Sequence, residues 1–169
     1  MPNPAVPVDE APTHREGTCG AAASSARRPN AEELAAWRSF LRAHAAVTRA
    51  LERELVTEQR LSLAAYDVLV QLAEAPARML RMTDLAEAVL LSRSGVTRLV
   101  DRLERAGLVA RQRTTVDGRG VVAVLTEKGL DRLRVAAVTH LDGVVRHFVA
   151  RLDCAELAQL GAITARLSG

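Results

Sequence analysis

The chain has 169 residues, of which 49% are hydrophobic and 25% are charged, a composition that fits one globular domain with a tail. Only 2% of the residues are aromatic, so the core must be built from Leu, Val and Ala, which favours helices over sheets. The formal net charge of +3 is too small to indicate a nucleic-acid partner by itself. The distribution of charge along the chain is therefore the better guide to the partner.

The sequence contains no signal for a membrane or for export. No apolar run reaches the roughly 18 residues that a membrane span needs, and the N-terminus lacks the apolar stretch of a signal peptide. The two cysteines, Cys19 and Cys154, lie far apart and form neither a CxxC motif nor a zinc-binding spacing. We therefore expect a cytoplasmic protein with reduced thiols, no membrane partner and no cofactor.

The N-terminal part of the chain divides into a tail and a long helix. Residues 1–29 contain five of the six prolines, which predicts a disordered tail. Asn30 and Glu33 have the spacing of a capping box, and the apolar residues that follow recur at steps of three and four. This pattern predicts a helix from about Ala31 to Glu58, roughly 40 Å long. A small domain cannot cover so long an apolar stripe, so we expect part of it to meet a second chain.

Three further helices are predicted from their caps. Ser62 caps "LAAYDVLVQLAEA", which ends at Pro76, and Thr83 is predicted to cap a short helix, "DLAEAVLL". Ser92 caps a fourth helix that begins with "RSGVTRLVDRLER", and Gly107 followed by a leucine is typical of a helix end. These elements have the order of a helix-turn-helix.

The remaining chain predicts a hairpin and two more helices. "LVARQRTT" and "GVVAVLT" have the pattern of strands, and "VDGRG" between them is a turn signal. Thr126 then caps a long helix whose apolar stripe runs as far as Leu152, and Asp153 and Glu156 begin the last helix. The chain is thus predicted to be mainly α with a small β-wing, a winged helix-turn-helix with six helices.

The fourth helix has two chemically different faces. Its apolar residues, predicted to be buried, are Val96, Leu99, Val100 and Leu103. Its outer face carries Arg93, Ser94, Thr97, Arg98, Asp101, Arg102 and Arg105. An α-helix fits the major groove of DNA, where arginine binds guanine and Ser or Thr contacts bases. We therefore assign Arg93, Ser94, Thr97 and Arg98 to base edges, and Arg102 and Arg105 to phosphates.

Positive charge is concentrated in this region. Residues 92–119 contain seven arginines and three acids, an excess of four against +3 for the whole chain. The alternative is a solvated face held by salt bridges such as Asp101 with Arg105 or Arg98. A structural hairpin has no need of Arg111, Arg113 and Arg119, and these arginines favour double-stranded DNA as the partner.

"GVTRLVDRLERAGLVARQRTTVDGRGVVAVLTEKG" resembles the signature region of the MarR family of bacterial transcriptional regulators. The resemblance implies a winged-helix homodimer in which the first and last helices form the dimerisation domain. It also implies that Arg119 enters the minor groove and that Asp117 positions it. Gly118 departs from the family pattern, because many members have a second arginine at this place.

These observations predict a regulator of transcription. Residues 30–169 would form the domain, with the winged helix-turn-helix at about 62–126 and dimerisation helices at about 30–58 and 127–168. We expect a homodimer that binds a pseudo-palindromic operator, represses transcription and is released by a small effector. The alternative function is a winged-helix module that binds protein without sequence-specific DNA binding.

The resemblance also indicates where an effector would bind. In this family effectors are often small aromatic or anionic molecules, and a urate-responsive branch uses a Trp, an Asp and two Arg residues. Asp67, Arg98 and Arg111 match the acid and the two arginines, whereas Trp37 lies on a different helix from the branch's tryptophan. Asp67 alternatively belongs to a solvated stripe with Gln71 and Glu74.

Other kinds of site have little support in the sequence. The chain has no nucleophile motif and no Gly-rich phosphate loop, so we do not expect an enzyme. His140 and His147 are about 10 Å apart along one helix and cannot share a zinc ion within it. Cys19 lies in the predicted tail and Cys154 begins a helix, and we expect both to be inert rather than redox sensors.

Overall fold

The computed structural model describes residues 27–89, 91–113 and 120–168, and these ranges contain six α-helices and three β-strands. The helices are α1 (Ala31–Gln59), α2 (Leu63–Glu74), α3 (Met82–Ala88), α4 (Arg93–Arg105), α5 (Glu127–His147) and α6 (Cys154–Ser168). The strands are β1 (Met79–Arg81), β2 (Val109–Arg113) and β3 (Val121–Leu125). Of the predicted tail, only residues 27–29 fall within the described ranges.

Most helices begin at the predicted caps. The side chain of Asn30 accepts a hydrogen bond from Glu33 N at 2.9 Å, and Asn30 N donates to Glu33 Oε2 at 2.8 Å. Asp153 and Glu156 form the same reciprocal pair at the start of α6, with both bonds at 2.8 Å. Three hydroxyls each accept from the backbone N–H three positions later, those of Ser62, Ser92 and Thr126. The predicted starts of α1, α2, α4, α5 and α6 are therefore confirmed.

Two helix ends differ from the prediction. The N-cap of α3 is Arg81, and Thr83 lies inside the first turn with its hydroxyl donating to Asp84 Oδ1 at 2.9 Å. The predicted Thr83 cap is wrong, because β1 runs directly into α3 and leaves no loop between them. Helix α5 ends at His147, where the backbone of Phe148 leaves the helical region before a 3₁₀ turn at Val149–Arg151. Leu152 therefore lies beyond α5.

The sheet has one strand more than the predicted hairpin. Its order is β1-β3-β2 and both pairings are antiparallel. The predicted hairpin of β2 and β3 is present, and it pairs Val109 with Leu125 and Arg113 with Val121. Strand β1 adds three residues to the other edge of β3, with Leu80 opposite Ala123. This third strand ties the segment before α3 to the base of the wing.

One core holds α2, α3, α4 and the sheet together. Its largest fully buried side chains are Leu55, Leu69, Leu72, Leu85, Val68, Val96, Val100 and Val109. They come from α1, α2, α3, α4 and β2, so each element of the helix-turn-helix contributes to the same apolar cluster. The architecture is a winged helix-turn-helix, and within the described ranges no helix has the length and apolar character to cross a membrane.

Helices α1 and α5 pack along each other through polar contacts as well as apolar ones. Glu54 on α1 accepts hydrogen bonds from Arg146 at 2.6 Å and His147 at 2.7 Å. The His147 hydrogen bond, followed by Arg146, holds the pKa of Glu54 below its usual value against the opposing effect of burial. Gln59 donates to the buried Thr139 hydroxyl at 2.9 Å. These contacts fix the register of α5 against α1.

A tight junction joins the end of α4 to the start of α5. The Thr126 hydroxyl lies 2.8 Å from the Gly107 carbonyl oxygen and 3.0 Å from that of Leu108, and it also accepts from Gly129 N. A Cβ atom on Gly129 would lie only 2.0 Å from the Leu108 carbonyl oxygen. The "LTEKG" segment therefore needs both a hydroxyl at Thr126 and no side chain at Gly129.

We predict that Gly129→Ala destabilises the protein by about 1–3 kcal/mol, because the new methyl group must push the Leu108 backbone away. Helix propensity alone predicts the opposite sign, a gain of about 1 kcal/mol. Thermal unfolding measures the change. Gly161→Ala is the matched control in α6, since no described atom of the chain lies within 4 Å of its new Cβ. A Gly129 variant as stable as that control would contradict the prediction.

Candidate DNA-binding surface

Helix α4 is closed at both ends by local contacts. Ser92 Oγ accepts from Gly95 N at 3.1 Å at the start of the helix. At the other end Gly107 has a positive φ of 73°, and Leu108 N donates to the Leu103 carbonyl at 2.9 Å. This is the Schellman arrangement, and it confirms the predicted helix stop. The ends set the length of the helix and so the side chains that it presents.

The two faces of α4 are those predicted. Val96, Leu99, Val100 and Leu103 are at most 4% exposed and join the central core. The exposed side chains on the other face are Arg93, Ser94, Thr97, Arg98, Arg102 and Arg105. The Thr97 hydroxyl donates to the Arg93 carbonyl at 2.9 Å, and the side chain of Thr97 is exposed. The helix thus presents a continuous polar and basic face to solvent.

Arg111 on β2 connects the wing to α4 through several polar contacts. Its Nη1 lies 2.5 Å from Asp101 Oδ1 and 2.8 Å from Glu104 Oε2. Its Nη2 donates to the Thr97 carbonyl at 3.1 Å, and its backbone N–H donates to Glu104 Oε1 at 3.0 Å. The partly buried guanidinium of Arg111 therefore binds three groups on α4. The Glu104 carboxylate accepts from both the backbone N–H and the side chain of Arg111.

This network changes the expected salt bridges. Asp101 pairs with Arg111, not with Arg98 or Arg105 as the solvated-face alternative proposed. Arg105 Nε instead donates to the Asp101 carbonyl at 3.2 Å. Within the described ranges, no ion pair involves Arg93, Arg98, Arg102 or Arg113. The acids of the surface are engaged by one arginine, and the other cations remain available.

Sequence reasoning missed the roles of Asp101 and Glu104. The sequence shows both only as charges of the helix face, whereas the structure places them against β2. The sequence did contain a signal for this contact. The two acids lie three residues apart, on one turn of the helix, and an arginine follows in the predicted strand next to it.

The tip of the wing is outside the described residues. Arg119, predicted to enter the minor groove, and Asp117, predicted to position it, both lie there, and these assignments remain predictions. Arg113 is exposed at the end of β2, next to the tip. The base of the wing therefore carries one arginine turned inward onto α4 and one that is exposed.

The residues predicted to bind an effector are not all close together. Arg98 on α4 lines an open cavity of about 570 Å³ beside Ala64 of α2, and Arg111 contacts the neighbouring Thr97. Asp67 is partly buried on α2, and burial, followed by the negative charge of Glu52, raises its pKa. Trp37 lies fifteen positions before Glu52 on α1, about 22 Å along the helix axis. Trp37 and Asp67 thus do not meet within one chain.

The histidines and cysteines form no metal cluster in the described part of the chain. His147 pairs with Glu54, while the ring of His140 lies 4.4 Å from that of Tyr66. His140 Nδ1 is buried without a hydrogen-bond partner, and burial lowers the pKa of this side chain. Cys154 is an exposed free thiol at the start of α6, and Cys19 is outside the described residues.

We predict that Arg111→Ala lowers the free energy of unfolding by about 1–2 kcal/mol, because Asp101 loses its ion-pair partner and Glu104 keeps only the hydrogen bond from the backbone N–H of residue 111. Arg113→Ala in the same strand removes the same charge from an exposed site and should change stability by no more than about 0.5 kcal/mol. Chemical denaturation of both variants gives the comparison. Equal stability of the two would show that the bridge does not hold the wing.

The chain is similar to a known family of proteins. A family model described as MarR family matches residues 61–120. Among solved structures, Sco3205, a MarR family transcriptional regulator from Streptomyces coelicolor in complex with DNA, is 36% identical with a TM-score of 0.80, and the match covers 86% of this chain and 91% of that one. AbsC, a MarR family regulator from the same organism, is 35% identical with a TM-score of 0.76 over 84% and 95% of the two chains.

A more distant structure has the same fold. A mutant MarR from E. coli, complexed with operator DNA, is 23% identical with a TM-score of 0.71, and the match covers 80% of this chain and 95% of that one. No curated protein sequence matches the chain. The identity and coverage of the Streptomyces structures, together with the match over the helix-turn-helix, show that this chain belongs to the MarR family of DNA-binding transcriptional regulators.

Proposed function

We propose that this regulator binds a pseudo-palindromic operator as a homodimer through α4 and the wing, and that it represses transcription. The observation that carries the proposal is the exposed face of α4, where the acids are bound to Arg111 and the remaining arginines have no carboxylate partner within the described ranges. The structure of Sco3205 contains DNA, which supports a DNA partner for a chain that is 36% identical to it.

The proposed roles follow the positions of the side chains along α4. Arg93, Ser94, Thr97 and Arg98 lie in its first two turns, which enter the major groove in recognition helices. Arg102 and Arg105 lie in the last turns and are assigned to phosphates. Arg119 is assigned to the adjacent minor groove, Asp117 is assigned to position it, and the exposed Arg113 is assigned as a further DNA contact of the wing. Arg111 is proposed to position the wing rather than to contact bases.

We propose that the winged helix-turn-helix covers about 62–126 and that α1, α5 and α6 supply the dimerisation helices. Residues of α2, α3, α4 and the sheet share one apolar core, and Leu55 of α1 and Leu133 of α5 join it. A module that binds only protein is the other candidate function. Such a module would not require arginines without acidic partners on α4. Its affinity for DNA would be weak, would fall with added salt and would not depend on the DNA sequence.

DNA binding is tested with Arg98→Ala and Arg102→Ala. Arg98→Ala should weaken binding to the operator by about 1–3 kcal/mol while leaving an unrelated duplex nearly unaffected, because a base contact is lost. Arg102→Ala should weaken binding to both duplexes, because a phosphate contact is lost. Fluorescence anisotropy at several salt concentrations measures both effects, with Arg134→Gln on α5 as the control. If the wild-type protein binds neither duplex, the proposed function is wrong.

The homodimer is supported by apolar surface on the dimerisation helices. Val138 and Leu141 on α5 are 63% and 60% exposed, and Trp37 on α1 and Leu167 on α6 are also exposed. Exposed apolar residues distributed over three helices indicate an interface with another protein surface. A second copy of the chain fits, because a two-fold operator is read by two identical recognition helices.

Light scattering after gel filtration should give twice 18.2 kDa for the wild-type protein. Leu141→Glu should give 18.2 kDa or a mixture, because a charge replaces an apolar residue inside the proposed interface. Val121→Glu changes an exposed valine of β3, outside that interface, and should stay at the dimer mass. A monomeric wild type would rule out the proposed architecture.

We also propose that a small organic effector releases the operator. Asp67, whose burial raises its pKa, and Arg98, which lines the cavity beside α4, are the polar groups assigned to it, while Trp37 would have to come from another chain or a second site. Shifting a conformational equilibrium from 1:99 to 99:1 needs about 10⁴-fold preference for the non-binding state. Salicylate, urate and related phenolics should therefore raise the melting temperature and release operator DNA, and Asp67→Ala should weaken both effects. Ligands that do neither would contradict the effector proposal.

A further inference from the structure

A second cavity lies at the corner between the two parts of the molecule. It has a volume of about 550 Å³ and is bounded by the end of α1, the start of α2, the second half of α4 and the start of α5. Four of its lining side chains are cationic, Arg60, Arg102, Lys128 and Arg132, and no lining residue is an Asp or a Glu. Lys128 is the only lysine of the chain. The cavity therefore concentrates positive charge without a neutralising carboxylate.

The four cations keep donors free for a ligand. Arg60 and Arg102 are exposed, and neither makes a hydrogen bond or ion pair through its side chain in the part of the chain that the structure describes. Lys128 Nζ donates one hydrogen bond to the Ala106 carbonyl at 2.8 Å, which leaves two N–H groups. Arg132 Nη1 donates to Gln59 Oε1 at 2.9 Å, and this neutral partner leaves its charge uncompensated.

The nearby acids are occupied elsewhere. Glu52 accepts from the backbone N–H of Leu63, and Glu58 accepts from the Thr139 hydroxyl. Neither lines the cavity. A multiply charged oxyanion such as a phosphate is the ligand that such a set of free N–H donors recognises.

The position of the cavity indicates which phosphate it would meet. It shares Leu99 and Arg102 with the open cavity that Arg98 lines, so it lies along the flank of the recognition helix. The major groove is about 12 Å wide, and a helix inside it is bordered on both sides by the sugar-phosphate backbones. A basic cavity on the flank of that helix thus faces a backbone when the helix is in the groove.

We propose that Arg60, Arg102, Lys128 and Arg132 form a phosphate clamp, which binds a DNA backbone phosphate beside the groove that α4 reads. This inference rests on the proposed function. It adds three cations from α5 and from the α1–α2 corner to a DNA contact otherwise made by α4 and the wing. The clamp would anchor the corner where the dimerisation helices join the winged helix-turn-helix, and it would carry affinity without sequence preference.

Arg60 allows a test that separates charge from folding. It is the C-cap of α1 and has a left-handed backbone, with φ 48° and ψ 34°. Glycine is preferred at such a position, so Arg60→Gly removes the charge and should leave the melting temperature unchanged or higher. Lys128→Gln removes a second charge and keeps a donor for the Ala106 carbonyl. Arg134→Gln is the matched control, because Arg134 lies on α5 and pairs with the exposed Asp131.

The experiment measures the dissociation constant of each full-length protein for the operator and for an unrelated duplex over a range of salt concentrations. The logarithm of affinity falls with the logarithm of salt by about 0.9 per neutralised phosphate. The clamp engages one phosphate per protomer, so a variant that weakens it should make the slope shallower by up to about 1.8 in a dimer, on both duplexes. The control should keep the wild-type slope.

Four outcomes are informative. Shallower slopes for Arg60→Gly and Lys128→Gln with unchanged melting temperatures support the clamp. Slopes equal to the control in a protein that still binds DNA overturn it and leave the proposed function intact. Stabilisation by inorganic phosphate that Arg60→Gly abolishes, with unchanged DNA slopes, also overturns it, because the cavity then binds a free anion. A wild-type protein that binds no DNA contradicts the proposed function itself.

Discussion

The burial of one side of α4 is the constraint on which the rest of the molecule depends. Val96, Leu99, Val100 and Leu103 are at most 4% exposed and pack in a core with residues of α2, α3 and the sheet. Burying four such side chains contributes on the order of 1.5–3 kcal/mol each. Because an α-helix repeats every 3.6 residues, the arginines between these positions lie on the opposite face of the helix and point to solvent when the stripe is buried. The chemical surface of the protein is thus set by the packing of its interior.

Electrostatics then decides which of the outward charges are available. Asp101 and Glu104 could have neutralised the face of α4, but both bind Arg111 of β2. The same contact fixes the wing against the helix, so one ionic network has two consequences. It keeps the two carboxylates from pairing with the other arginines of α4, which stay available for phosphates, and it holds the hairpin against α4.

The junctions between the two parts of the molecule are close-packed and polar. Thr126 and Gly129 hold the start of α5 against the backbone of Leu108, just after α4 ends. On the other side, the ring of Tyr66 on α2 packs against the partly buried ring of His140 on α5. Helix α5 is therefore in direct contact with both α2 and the end of α4.

The sequence by itself determined the elements whose signals are local. The caps at Asn30, Ser62, Ser92 and Thr126 form within four residues of chain, and the buried face of α4 follows from periodicity alone, so both were predictable. The tertiary structure decided what depends on distant partners. Strand β1 exists only because β3, more than forty residues later, offers an unpaired edge, and its presence displaced the predicted cap at Thr83. The pairing of Arg111 with the acids of α4, and the meeting of Arg60 with Lys128 and Arg132, require helices to be placed in space. Spacing along a chain carries no information about that placement.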